Sequence, residues 1–83
     1  MAAALIACRS VTYAQRAVRI LNQAGIHATA KKLPMTLRDA GCGHAVRVGH
    51  DELERAAARM RESGFEIQKV YCEQSDGTVG ECV

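Results

Sequence analysis

Apolar residues recur along this chain in two rhythms, a short continuous run and a three-to-four-residue spacing, and the same order of rhythms occurs twice. Leu5 to Ala7 is a short apolar run, the signature of a buried strand, and the strand is expected over residues 3–8. Thr12 with Gln15 then forms a capping-box pattern, followed by Ala14, Ala17, Val18 and Leu21 at helical spacing, which predicts a helix over 12–24. Gly25 closes it as the residue beyond the helix end, and Ile26 to Leu33 reads as a second strand. The order then returns at a constant offset, the one that carries Gly25 onto Gly64. Ala45 to Val48 predicts a strand over 44–49, and Asp51 with Glu54 repeats the capping box. Leu53, Ala56, Ala57 and Met60 form the apolar stripe of a helix over 51–63. Gly64 ends that helix, and Phe65 to Tyr71 is the last predicted strand. Arg16-Ala17 against Arg55-Ala56, and Gly25-Ile26 against Gly64-Phe65, are the best-matched pairs.

Two βαβ halves of this size predict an α+β fold. The simplest is a ferredoxin-like β-α-β-β-α-β sandwich, a four-stranded antiparallel sheet with two helices on one face. Right-handed crossovers place the third strand beside the first and make the second parallel to the first. The loop after strand one (Cys8 to Val11), the loop between strands two and three (Pro34 to Gly43) and the start of the first helix then share one end of the sheet. Cys8 and Cys42 are expected there together. Residues 1–71 form this domain, and the polar, aperiodic segment 72–83 reads as a flexible tail carrying Cys72 and Cys82.

Length tightens the picture. A chain of 83 residues buries only about 60% of its unfolded surface, which leaves little room for a deep cavity. With Tyr13, Phe65 and Tyr71 as the aromatics, the core must be built from Ala, Val, Leu, Ile and Met. A formal charge of +2, with scattered basic residues and few stacking rings, excludes a nucleic-acid footprint. No segment approaches the roughly 20 apolar residues that span a bilayer. Leu5-Ile6-Ala7-Cys8 imitates a lipoprotein cleavage site, but it lacks a basic leader and its apolar run is short. A cytoplasmic protein is expected, in which thiols are reduced, metal-binding or redox-active rather than paired as structural bridges. Exposed sheet in so small a chain suits a homodimer.

The candidate chemistry centres on Gly41-Cys42-Gly43. A thiol between two glycines is unshielded, and glycine backbone can turn successive N–H groups toward an anion such as a thiolate. Cys42 is therefore the candidate nucleophile, with Gly41 and Gly43 as its stabilising neighbours; the bland alternative is a small residue packed at a strand start. Arg38 could favour the thiolate or be a solvated loop charge. Ser10 and Thr12 read as helix caps, Ser10 with the further option of donating to an anion at the helix start. Cys42-Gly43-His44 also admits a metal reading, with His27 or His50 as further ligands, although no paired zinc spacing occurs. Cys72 and Cys82 stand beside Glu73 and Glu81, whose negative charge opposes thiolate formation. They could still form a tail disulfide or take over sulfur. Arg9, Arg16, Arg19, Arg55, Arg59 and Arg61 read as solubilising charges on helix faces, and no Ser-His-Asp arrangement, phosphate loop or carboxylate pair rises above chance.

The order of strand, Ser10, Ala-rich helix, Leu33-Pro34, an Arg-bearing loop, Gly41-Cys42-Gly43 and a closing Ile67-Gln68-Lys69-Val70-Tyr71 resembles the selenium/sulfur carrier-like proteins. The likeness covers roughly residues 5 to 71, and Cys42-Gly43 is its most specific element. The chain departs from the pattern in its loop, where Pro34-Met35-Thr36-Leu37-Arg38-Asp39-Ala40 has no serines and Arg38 is placed differently. The resemblance implies a carrier more than an enzyme. Cys42 would hold sulfur or selenium as a persulfide or selenosulfide, received from a donor protein and passed to an acceptor. No cofactor is needed. Cys8 would resolve or relay the cargo, or else pack as a small hydrophobe. The alternative is a metal-binding module through Cys42 and His44, or a regulatory interaction module, without thiol transfer.

Overall fold

The computed structural model describes residues 3–33, 43–67, 69–74 and 77–81. Strand β1 (Ala3–Cys8) leads into helix α1 (Val11–Gln23), which returns the chain to β2 (Ala28–Lys32). After the intervening segment come β3 (His44–Gly49), a 3₁₀ turn at His50–Glu52 and helix α2 (Leu53–Glu62). Strands β4 (Val70–Glu73) and β5 (Val79–Glu81) follow. The strands form one sheet in the order β2-β3-β1-β4-β5, every neighbouring pair antiparallel. The third strand therefore does separate the first from the second.

Strand number differs from expectation: among the described residues the sheet has five strands, not four. Residues 72–83, expected as a flexible tail, supply the end of β4 and all of β5, paired as Tyr71 with Glu81, Cys72 with Gly80 and Glu73 with Val79. The turn between them is held by the Gln74 N–H on the Thr78 carbonyl (2.8 Å), with Gly77 at φ +91°. A hairpin signal is present in the dipeptide Asp76-Gly77. Val79-Gly80-Glu81 alone has too little apolar character to announce a strand. The fourth strand also starts later than Phe65, because Phe65 turns under α2 into the core before β4 begins.

Both helices cover one face of the sheet. Ala4 and Ile6 of β1, Val46 and Val48 of β3 and Ala28 of β2 pack there against Ala14, Ala17 and Leu21 of α1 and Ala56 and Met60 of α2. Most of those helical positions are alanine, which lets the helix axes sit close to the sheet. The opposite face has its own buried cluster of Leu5, Leu33, Ala45 and Tyr71. Ala4, Leu5 and Ile6 are each fully inaccessible, so β1 is buried on both faces. Burying a Leu or Ile side chain stabilises by about 1.5–3 kcal/mol.

The predicted helix ends are present in full. The Ile26 N–H donates to the Leu21 carbonyl (2.9 Å) and the Gly25 N–H to the Asn22 carbonyl (3.1 Å). At the same places in the second half, Phe65 N–H donates to the Met60 carbonyl (2.9 Å) and Gly64 N–H to that of Arg61 (3.0 Å). These are two Schellman motifs in register with the repeat, each with an apolar pair, Ile26 with Leu21 and Phe65 with Met60, in the core. The helix starts differ from the capping boxes. Ser10, not Thr12, caps α1, its Oγ accepting from the Tyr13 N–H (3.2 Å). No side-chain cap bond opens α2, where the 3₁₀ turn takes up the chain from β3.

Across the helix-free face, Lys31 of β2 and Arg47 of β3 converge on Glu73 of β4. Lys31 Nζ donates to Glu73 Oε2 and Arg47 Nε to Glu73 Oε1 (2.9 Å). The hydrogen bond from Lys31, and then that from Arg47, holds the Glu73 carboxyl below the usual glutamate range.

Two measurements follow from these features. Gly25 and Gly64 have φ of +83° and +89° with open space where a Cβ would stand. Gly25→Ala and Gly64→Ala should each cost about 1–2 kcal/mol from backbone strain alone, read by chemical denaturation. Because Glu73 is more acidic folded than unfolded, its ion pairs stabilise above the unfolded pKa and the benefit is lost as pH falls through the lower folded value. Lys31 and Arg47 are 38% and 46% exposed, so solvent screens the pairs. Glu73→Gln should cost only about 1 kcal/mol at neutral pH, and its deficit should close as wild type and variant are compared below about pH 4.

Candidate functional site

One end of the sheet gathers the chemistry-bearing positions that the structure describes. There β1 ends at Cys8, α1 starts at its Ser10 cap, β2 ends at Lys32 and β3 begins at His44. Cys8 is the direct register partner of His44, and Lys32 flanks His44 on the other side. The Leu33 N–H donates to the Gly43 carbonyl (2.6 Å), which closes the base of the segment between β2 and β3. Ala7 N–H donates to the Lys69 carbonyl (3.0 Å) and ties the approach to β4 into the same end.

Cys42, Gly41, Arg38 and Cys82 lie outside the described residues. Gly43, which follows Cys42 in the chain, stands one residue before the partner of Cys8. Cys8 itself belongs to the core. Its side chain points into the helix-covered layer with Ala4 and Ile6, the residue is 7% exposed, and its Sγ donates to the Ile6 carbonyl at 3.5 Å. The hydroxyl oxygen of Ser10 is engaged by the Tyr13 N–H, which leaves the Ser10 O–H as a donor.

His27 and His50 do not join this end. His27 precedes Ala28, whose partner is Val48, and His50 follows Gly49 at the far end of β3 from His44. The length of β3 separates His44 from His50, about 20 Å at the usual rise per residue. Neither histidine can complete a ligand set with His44. Among the described residues no three His, Cys, Asp or Glu side chains converge as metal ligands. Cys72 is disulfide-bonded, one of the fates its sequence context left open.

The same end carries an arrangement that charge and composition alone assign to mere solubility. The Tyr13 and Phe65 rings meet edge to face at 5.3 Å. The Arg9 guanidinium sits 5.0 Å from the Tyr13 centroid, and that of Arg16 lies 5.7 Å from Phe65 and 6.0 Å from Tyr13. Two of the chain's three aromatic rings thus brace two exposed arginines immediately beyond Cys8. The available signal was charge order. Residues 1–38 contain Arg9, Arg16, Arg19, Lys31, Lys32 and Arg38 but no Asp or Glu.

The family model described as "Putative Se/S carrier protein-like" matches residues 3–72. The chain belongs to that family. The match begins with β1 and ends inside β4, so it takes in both helices and the loop that bears Cys42. Comparisons with curated proteins and with solved structures give no match. No helix among the described residues is long and apolar enough to cross a membrane.

The burial of Cys8 has a direct consequence. Iodoacetamide should leave Cys8 unmodified in the native protein and alkylate it only as the protein unfolds, with peptide mass spectrometry assigning the site. Alkylation of native Cys8 at the rate of a model thiol would show that this end of β1 opens.

Proposed function

We propose that this member of the Se/S carrier-like family carries sulfur or selenium on Cys42, presented from a ferredoxin-like frame. The observation that carries the reading is the family match, which spans the only Cys-Gly step in the chain. The placement of its neighbours supports it. Gly43 closes the loop base against Leu33 at an end of the sheet where a capped helix start adds its N–H groups and positive dipole end. Cys42 lies two residues before His44, so covalent connection keeps its Cα within about 7.6 Å of that residue's.

The transfer needs no cofactor and no net oxidant. The Cys42 thiolate attacks the outer sulfur of a donor persulfide, R–S–SH. The new S–S bond forms as the donor's S–S bond breaks, and the donor leaves as the thiolate R–S⁻. Cys42 is then Cys42–S–SH, and attack by an acceptor thiolate on the same outer sulfur returns Cys42 to its thiolate. The selenium version replaces that outer atom. This is thiol–disulfide exchange chemistry with a persulfide in place of the disulfide and a thiolate as the leaving group. Cys8, one register position from the loop's return, is the thiol assigned to resolve or relay the cargo, provided the strand end opens to expose it. The Gly41 and Gly43 N–H groups and the Ser10 hydroxyl are the donors assigned to the thiolate.

The test is intact and peptide mass after full reduction, removal of the reductant and incubation with inorganic polysulfide. Wild type should gain about 32 Da per sulfur atom, roughly one atom per chain, mapped to Cys42. Cys42→Ser should lose that gain, whereas Cys8→Ala should keep it. Equal loading of Cys42→Ser and wild type would remove Cys42 from the role, and loss of loading in Cys72→Ser alone would move the cargo to β4.

A further inference from the structure

The two braced arginines are unlike the cations that the protein holds in ion pairs. Lys31 and Arg47 are neutralised by Glu73, Arg55 by Glu52 and Arg59 by Glu62. Arg9 and Arg16 have no carboxylate within salt-bridge distance among the described residues, although both are exposed. Helix α1 contains no acidic residue at all, and Arg19 extends its basic surface by one further turn. Six of the eleven basic residues and none of the nine acidic ones fall in residues 1–38, which leaves +6 there and −4 in the remainder.

A flexible surface arginine loses much of its binding energy to ordering its side chain. Stacking on an aromatic face removes part of that cost and leaves the outer N–H fork available, the reason Arg and Tyr recur as binding anchors. Both guanidiniums pack on Tyr13, at 5.0 and 6.0 Å from its centroid, so their separation cannot exceed the sum of those two distances. Carboxylates one or two turns apart along a helix, about 5–11 Å, match that span. Arg9 also follows Cys8 directly, beside the pairing of Cys8 with His44. A partner seated on these arginines is thereby brought against the end of the sheet from which the Cys42 loop emerges.

We infer that Arg9 and Arg16, braced by Tyr13 and Phe65, form the docking surface for an acidic, Asp/Glu-rich segment of the sulfur donor protein. The inference rests on the carrier reading for the donor's identity, but the surface itself rests on the geometry. A nucleic acid fits less well. Phe65 is 6% exposed and its ring is committed to the arginines and the core, so it offers no free face for base stacking. The −4 charge of the remaining chain would also repel a long phosphate backbone. An acidic segment needs only the local patch.

The test uses the full chain and a fluorescein-labelled peptide of alternating Glu and Ala, with a Lys/Ala peptide and a single-stranded oligonucleotide as comparison probes. Anisotropy should show binding of the Glu peptide that weakens strongly as NaCl is raised, because added salt shortens the reach of exposed charges. The Arg9→Gln/Arg16→Gln pair should weaken it at least tenfold with unchanged circular dichroism. Arg55→Gln/Arg59→Gln, which removes the same charge from α2, should change it less than twofold. Arg9→Lys/Arg16→Lys keeps charge but loses the fork and should fall between. Equal weakening by the α2 pair, or tighter binding of the oligonucleotide than of the Glu peptide, would overturn the surface. The donor assignment is read separately, as the rate of sulfur transfer to Cys42 from a persulfidated Cys in a Glu-rich peptide against one in a Lys-rich peptide. Loading from polysulfide with no preference between the peptides overturns the docking and leaves the carrier intact. No loading from any donor, with Glu-peptide binding intact, overturns the carrier and the donor assignment instead.

Discussion

Double burial of β1 is the constraint on which the rest of the structure depends. Its backbone is paired on both edges, to β3 and to β4, and its side chains are enclosed on both faces. Ala4 and Ile6 lie under the helices while Leu5 lies in the cluster on the opposite face. A strand in that position cannot shift register by one residue without exchanging the two sets, and each set is shaped for a different surface. The register in turn sets Cys8 opposite His44 and starts α1 where it does. The candidate site is therefore located by the core, although it lies at the rim.

That rim divides labour between two kinds of group. The helix-facing parity of β1 takes the Cys8 sulfur into the core, where it packs like a small apolar side chain. The outward-facing groups are a capped helix start, the base of the β2–β3 loop and two guanidiniums on aromatic rings. A carrier needs an accessible thiol and a surface that orients its partner, but not a deep cavity. The braced arginines are the described candidate for such an orienting surface.

Electrostatics distinguishes the two faces in the same way. On the helix-free face the cations meet a carboxylate, and Lys31, Glu73 and Arg47 tie three strands together. Glu73 also sits opposite Val79, so the ion pairs and the fifth strand meet at one place. On the α1 face the cations meet rings instead of carboxylates, and their charge stays available to a partner. Charge order along the chain makes this separation, since all the acidic residues follow position 38.

Local features were legible in the residues themselves. Helical spacing, the two glycines at helix ends and the internal repeat could be read because each depends on bonds between near neighbours in the chain. The strand order was legible too, because crossover handedness leaves few alternatives. Tertiary structure decided the remainder. β1 is apolar at every position, so alternation could not say which face Cys8 would take. Of the two caps the residues offered, Ser10 and Thr12, the helix uses Ser10. β5 exists because β4 offers it an edge, and three residues with a central glycine carry no pattern of their own. His27 and His50 were separated from His44 by the length of a strand, a distance that composition does not encode. The stacking of Arg16 on a second ring needed Phe65, from the other half of the chain, brought beside Tyr13 by the second Schellman turn. Gly41-Cys42-Gly43 could be read as a candidate thiol site from residue type alone, since glycine neighbours carry no side chain. Which groups surround that loop's base was a matter of strand register, and only the folded sheet could set it.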